Sequence, residues 1–269
     1  MSNPILNEKA AAQAAKAGWA APDPSTAVGA PISDGPVSEW RSANAMTVSG
    51  TATATGVLLV LLLVSAAFGW ASISPTEGDT GFPTLAIVGI VVGFVCAIAV
   101  SFRPMLARWL GPVYALGEGF FLGVVSHAYD AAYDGIVVQA VGATLAVFAT
   151  MLFLYRTRII KVTARFRRIV ISATIGLGLF YMVSLLIGLF AGSDSVSFLH
   201  SGSPLGILIS VAAAGLAAMM LAVDFDVIEK GVAAGWPKGM EWYGAFGLLT
   251  TLVWLYLELL RLLAKLQRD

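Results

Sequence analysis

Charge, cysteine and histidine are all scarce in this 269-residue chain. Charged residues make up 12%, about half of the roughly 25% found in soluble domains. The surface that would let such a chain face water on every side is missing. Lys and Arg together number 16, as do Asp and Glu, so the net charge is zero. Without a basic excess there is no bulk attraction for a polyphosphate, and nucleic acid is excluded as a partner. Cys96 is the single cysteine. It cannot make an internal disulfide or a thiolate metal cluster, and it reads as a small packing residue. His127 and His200 are the only histidines. They lie far apart, which argues against a histidine-rich metal or redox centre, and no cofactor is called for. No nucleophile, base and orienting group recur at a catalytic spacing, and no nucleotide-binding loop is present. His127 near Asp130 is the nearest approach to a catalytic pair. The chain reads as a protein that is not an enzyme.

What the sequence has instead is apolar length. Hydrophobic residues make up 58%, and mean hydropathy is +0.84. Runs long enough to cross about 30 Å of hydrocarbon recur. A backbone there must be helical, because a helix pairs its own N–H and C=O groups. The alternating short strands of a membrane barrel are absent. The expectation is an all-α integral membrane bundle of seven spans, at about 52–73, 83–102, 112–129, 135–155, 169–191, 204–226 and 242–263. Gly119 and Gly123, and Gly188 and Gly192, have the four-residue spacing that lets helix backbones pack closely.

Residues 1–50 have no apolar run and are rich in Ala, Pro and Ser. No apolar core of a cleavable signal peptide stands near the start. The segment reads as a disordered cytoplasmic tail, followed by the membrane domain at 51–269. Lys and Arg set the orientation. Arg103 and Arg108 follow span two, Arg156 to Arg168 follow span four, and Lys230 and Lys238 follow span six. The other loops carry only acids: Glu77, Asp79, Asp130, Asp134 and Asp194. The amino terminus and the basic loops are therefore expected in the cytoplasm. Seven crossings would place Lys265 and Arg268 outside, against that trend; the alternative is a last span that re-enters and returns. The segment from Arg156 to Arg168 is expected to lie on the surface and be attracted to anionic lipid.

Carboxylates at membrane depth are the candidate functional groups, since each costs roughly 2.5–3.5 kcal/mol unless paired or wetted. They are Glu118 in span three, Asp224 and Asp226 in span six, and Glu241 and Glu258 in span seven. At 1.5 Å per residue, Glu118 lies about 9 Å into its span. It shares the cytoplasmic half with Asp224, Asp226 and Glu241. Glu258 lies about 24 Å along span seven, with Arg261 on its own face. Asp226 stands four residues before Lys230, an ordinary helix-end pair, whereas Glu118 has no basic neighbour at helical spacing. Asp224 and Asp226 are about 200° apart around a helix, so they cannot share a face. Two carboxylates held together in a dry place compete for one proton or cation, which makes a pH-dependent gate. Calcium also prefers such oxygens.

Several stretches resemble the Bax inhibitor-1-like membrane proteins, in particular the actinobacterial branch. They are Met1-Ser2-Asn3-Pro4, Tyr114 to Gly123 around Glu118, Gly135 to Ala140, Val223-Asp224-Phe225-Asp226, Met240-Glu241-Trp242-Tyr243 and Trp254 to Glu258. The resemblance implies a seven-helix fold with the last helix central, and a pH-sensitive leak of calcium. It also implies a carboxylate at the end of helix six paired with one in helix seven. Asp226 takes the helix-six place, through the Phe225-Asp226 step. Two registers fit helix seven: one puts Glu258 at the acid's place, the other puts Thr251 there.

The leading expectation is a pH-regulated leak for calcium or other cations across the plasma membrane. Asp226 would be the sensor, and Glu118 or Glu258 would share its proton or a calcium ion, with Asp224 and Glu241 nearby. The alternative is a stress-related protein that binds and modulates other membrane proteins without conducting ions. A secondary transporter would show inverted repeats, and none is evident. Membrane lipid is a partner in either case.

Overall fold

The structure is a computed structural model that describes residues 44–73, 84–191 and 203–268. The tail up to residue 43 lies outside the described residues, as do Glu77, Asp79, Gly192, Asp194 and His200. Seven helices follow one another: α1 Val48–Ala71, α2 Thr84–Phe102, α3 Ala107–Ala132, α4 Ile136–Arg156, α5 Ala164–Ala191, α6 Pro204–Ala233 and α7 Met240–Leu266. All seven are long and apolar enough to cross a membrane, and no strand occurs among the described residues.

The helices outrun the apolar stretches that announce them. α3 begins at Ala107, behind a single 3-10 turn at Pro104–Leu106, and not at residue 112. α6 continues to Ala233, past residue 226. Hydropathy marks where hydrocarbon ends, but helical hydrogen bonding continues into the headgroup layer, where polar side chains cost little. Pro112 therefore sits inside α3, where it lacks the N–H that would reach Arg108 one turn earlier. Because of these longer helices, Glu118 and Asp226 lie farther from their helix ends than the apolar runs imply.

α7 is the central element and packs against α1, α3, α4 and α6. One apolar cluster fills the α1–α3–α7 side, with Leu58, Leu62, Tyr114, Leu122, Phe246 and Leu249. Another fills the α4–α6–α7 side, with Met151, Leu221, Phe225, Leu248, Leu252 and Leu255. α7 is one unbroken helix, so a re-entrant last span has no break on which to turn. At 1.5 Å per residue it is roughly 40 Å long, enough for a full crossing.

Packing is inverted relative to a water-soluble protein. Phe68, Phe94, Val138 and Phe190 are exposed, while Thr51, Thr55, Ser65, Ser126, Thr144 and Ser210 are buried. Lipid tails are as apolar as leucine, so nothing drives leucine inward; small residues that let helices approach are preferred at the interfaces. Several buried hydroxyls bond the carbonyl one turn earlier, as Thr55 does to Thr51 and Thr144 to Ala140, both near 2.8 Å. α1 crosses α3 at Gly119 and Gly123. A methyl on either would collide with the backbone of Leu62 or Ala66. Ser65 closes the same crossing by donating to the Leu116 carbonyl at 2.5 Å.

The end of the bundle that carries the basic loops is clasped by backbone. Met46 N–H donates to the Trp236 carbonyl at 2.6 Å, and Lys238 N–H donates to the Asn44 carbonyl at 2.8 Å. An antiparallel bridge between Ala45 and Pro237 results. The clasp ties residues 44–46, ahead of α1, to the α6–α7 connection.

Candidate functional site

The candidate site is a polar layer near mid-depth, arranged around Thr250 and Thr251 of α7. Thr251 lies roughly 17 Å from the start of α7, and Asp224 roughly 14 Å from the end of α6. Both helix ends are at the basic end of the bundle. The Thr251 hydroxyl donates to Asp224 Oδ2 at 2.6 Å. Oδ1 faces Gly247, where a methyl would lie 3.6 Å away. Thr250 lies beside Tyr114 of α3, and its hydroxyl donates to the Phe246 carbonyl of its own helix at 2.9 Å. The Tyr114 ring is held edge-on against Phe246, with centroids 4.9 Å apart. Glu118 lies roughly 17 Å along α3, and its Oε2 rests against Gly93 of α2, where a Cβ would be only 2.9 Å away. Thr251 thereby addresses a carboxylate of α6, while its neighbour Thr250 lies beside Tyr114 of α3. Neither Glu118 nor Asp224 forms an ion pair with a described residue.

The other three acids are each neutralised or capped locally. Asp226 is 7% exposed and accepts from Lys230 Nζ at 2.6 Å on its own helix. Glu241 is buried and sits over the start of α1. It accepts from the Thr47 N–H at 3.0 Å and from the Thr47 hydroxyl at 2.8 Å. Thr47 is itself the N-cap of α1 and accepts from Gly50 N–H. Glu241 is therefore an anion at a helix N-terminus, with exposed N–H groups and the positive dipole end beside it. Glu258 is 1% exposed. It accepts from Arg261 at 3.2 Å, Trp254 Nε1 at 3.2 Å and Tyr181 at 3.3 Å.

Among the described residues, no two of these five carboxylates share a hydrogen-bond partner. The structure does not bring Asp226 together with Glu118 or Glu258. Helical phase gives the reason. Asp224 faces α7, and Asp226, two residues on, points away to Lys230. Glu258 lies roughly 27 Å along α7, far from the basic end that holds Asp226. Of the two registers open for helix seven, the one that places Thr251 opposite helix six matches the geometry, and the helix-six group it meets is Asp224.

Two polar clusters escaped the sequence reading. Glu229 accepts from Tyr155 and Arg158 at the basic end, and the Arg158 guanidinium lies 5.7 Å from the Tyr155 ring centre. Arg158 adopts φ +59°, a left-handed backbone that costs a residue with a Cβ about 1–2 kcal/mol and that its bonds hold in place. Lys265, 3% exposed, donates to the Gly206 carbonyl and the Ser210 hydroxyl, both at 2.8 Å, joining the end of α7 to the start of α6. Terminal charges look like solvated helix ends in a sequence. The signal available for Lys265 was its place on the apolar face of α7, one turn after Arg261.

His127 packs edge-on against Trp70, with centroids 5.1 Å apart. Asp130 accepts instead from Gly135 N–H at 3.2 Å. Cys96 is buried in the α1–α3–α7 cluster. Among the described residues, no three His, Cys, Asp or Glu side chains converge as a metal site.

A bundle of seven membrane-spanning helices around a central last helix defines a multi-pass membrane protein. The chain belongs to the Bax inhibitor 1 like family, whose model matches residues 3–268. No curated protein and no solved structure matches it.

Proposed function

We propose that the protein is a pH-regulated leak for cations, calcium among them, across the plasma membrane, with its amino terminus and basic end in the cytoplasm. The path passes Glu118 and Asp224, on either side of Thr250 and Thr251. One observation carries this reading: two carboxylates at mid-depth have no cation of the protein beside them, whereas Asp226 and Glu258 do. A carboxylate kept at that depth without a counter-ion holds a proton or attracts a mobile cation, and such groups mark ion and proton pathways. The family resemblance favours Asp226 as the sensor. The geometry favours Asp224, because Lys230 already neutralises Asp226. Protonation of Asp224 changes its bond to Thr251, and with it the grip of α6 on the central helix.

The test is calcium flux into proteoliposomes across a pH series. Asp224→Asn mimics the protonated acid, so its flux near neutral pH should match the parent's at low pH and vary little between. Asp226→Asn should keep the parent's profile. A profile flattened by Asp226→Asn but not by Asp224→Asn would return the role to Asp226. Purified parent protein that passes no cation at any pH would defeat the leak itself, leaving the binding of other membrane proteins.

A further inference from the structure

The basic end carries a second site, separate from the mid-depth carboxylates. A cavity of about 360 Å³ opens between the start of α5 and the end of α6, lined by Thr163, Arg167, Arg168, Ile171, Ser172 and Lys230. Arg167 and Arg168 are exposed and form no ion pair with a described residue. Lys230 donates to Asp226, but its ammonium has three N–H groups and its side chain remains 58% exposed. Thr163 caps α5 by accepting from Phe166 N–H at 3.1 Å. The first turn of α5 holds no acid. Arginines there oppose the positive end of the helix dipole. The cavity thus gathers two guanidiniums, an ammonium, two hydroxyls and a helix start, with no acid in its lining; Asp226 and Glu229 lie near Lys230 alone.

We infer that this cavity binds the phosphate of an anionic glycerophospholipid in the leaflet at the basic end. Guanidinium pairs favour phosphate through charge-assisted, bidentate bonds. The bilayer is the favoured source because an exposed apolar strip of α5 leads on from the cavity. Ile171 forms part of its wall, and Ile175 and Leu179, at successive four-residue steps on α5, are 58% and 52% exposed. They make an apolar strip below the phosphate position, along which an acyl chain can lie. A soluble phosphate would gain nothing from that strip.

The experiment is native mass spectrometry of the full chain, released from mixed phosphatidylglycerol and phosphatidylcholine. The parent should retain one phosphatidylglycerol in preference to phosphatidylcholine. Arg167→Gln/Arg168→Gln should lose that preference about thirtyfold, at about fivefold for each basic contact, and should melt at the parent's temperature. Arg103→Gln, which removes a basic residue elsewhere at the same end, should retain the lipid as the parent does. Equal loss in Arg103→Gln would mean diffuse surface attraction and overturn the site. Equal retention of the two lipids by the parent, or no change in the double variant, would also overturn it. Displacement of the lipid by millimolar inorganic phosphate would overturn the bilayer as the source. None of these readouts involves ion flux, so they stand or fall apart from the proposed leak.

Discussion

Thr251 of α7 donates its hydroxyl hydrogen to Asp224 of α6 at 2.6 Å, and this is the polar tie between the central helix and its neighbour at mid-depth. A hydrogen bond to a charged group is worth about 1.5–3 kcal/mol, and an ordinary one about 1 kcal/mol. Thr251→Val keeps the side chain's shape and removes the donor. It should lower thermal stability in detergent by an amount in that range. In a double-mutant cycle with Asp224→Asn, the two losses should fall short of additive by about 0.5–3 kcal/mol. Additive losses would mean that the contact carries no energy.

Glu241 is a buried acid tied to the start of α1. Its carboxylate takes two hydrogen bonds from Thr47 at the start of α1. Glu241→Gln weakens that cap, and the cost should be about 0.5–2 kcal/mol. Hydrogen exchange should quicken in the first turn of α1, from Val48 to Thr51, with little change in α6. The pH profile of calcium flux should match the parent's. A profile altered as in Asp224→Asn would bring Glu241 into the pathway.

Much of this architecture was legible in the sequence, and the limits are instructive. Seven apolar runs of membrane length gave seven helices, because lipid leaves the backbone no other way to satisfy its polar groups. Gly119 and Gly123 announced a close crossing, and it lies between α1 and α3. The pairs of Asp226 with Lys230 and of Glu258 with Arg261 were legible in helical spacing, but the partner of Asp224 was not. Asp224 and Asp226 differ by two positions, and only the rotation of α6 decides which of them faces α7. Thr251 carries no charge, and only one of the two registers open for helix seven put it opposite the helix-six acid. Helix ends were not legible in hydropathy, and α3 begins five residues earlier than its apolar run.

Lys265 offers a sharp asymmetry. Its ammonium is buried and rests on the Ser210 hydroxyl and the Gly206 carbonyl. Ser210→Ala removes an acceptor and leaves the charge, which should cost about 1–3 kcal/mol. Adding Lys265→Met to that variant removes the stranded charge, so stability should recover partly or wholly, since apolar replacement of a buried charged group is often neutral. Thermal unfolding of the two variants checks the order. A double variant less stable than Ser210→Ala alone would contradict it.

The α1–α3 crossing tolerates no added atoms. Gly119→Ala should destabilise by about 1–3 kcal/mol, the usual range for overpacking, because the new methyl meets the Leu62 backbone. Gly142→Ala on α4 meets nothing within 4 Å and should be neutral or slightly stabilising, since alanine is the better helix former by about 1 kcal/mol. Melting temperatures of the pair, measured side by side, decide the point.

The two peptide hydrogen bonds between residues 44–46 and the α6–α7 connection have a mechanical consequence. Tension applied to the chain upstream is taken by that clasp before it reaches α1. The α6–α7 hairpin is therefore loaded first, and whatever grips the protein from that side pulls on the joint between its two most buried helices.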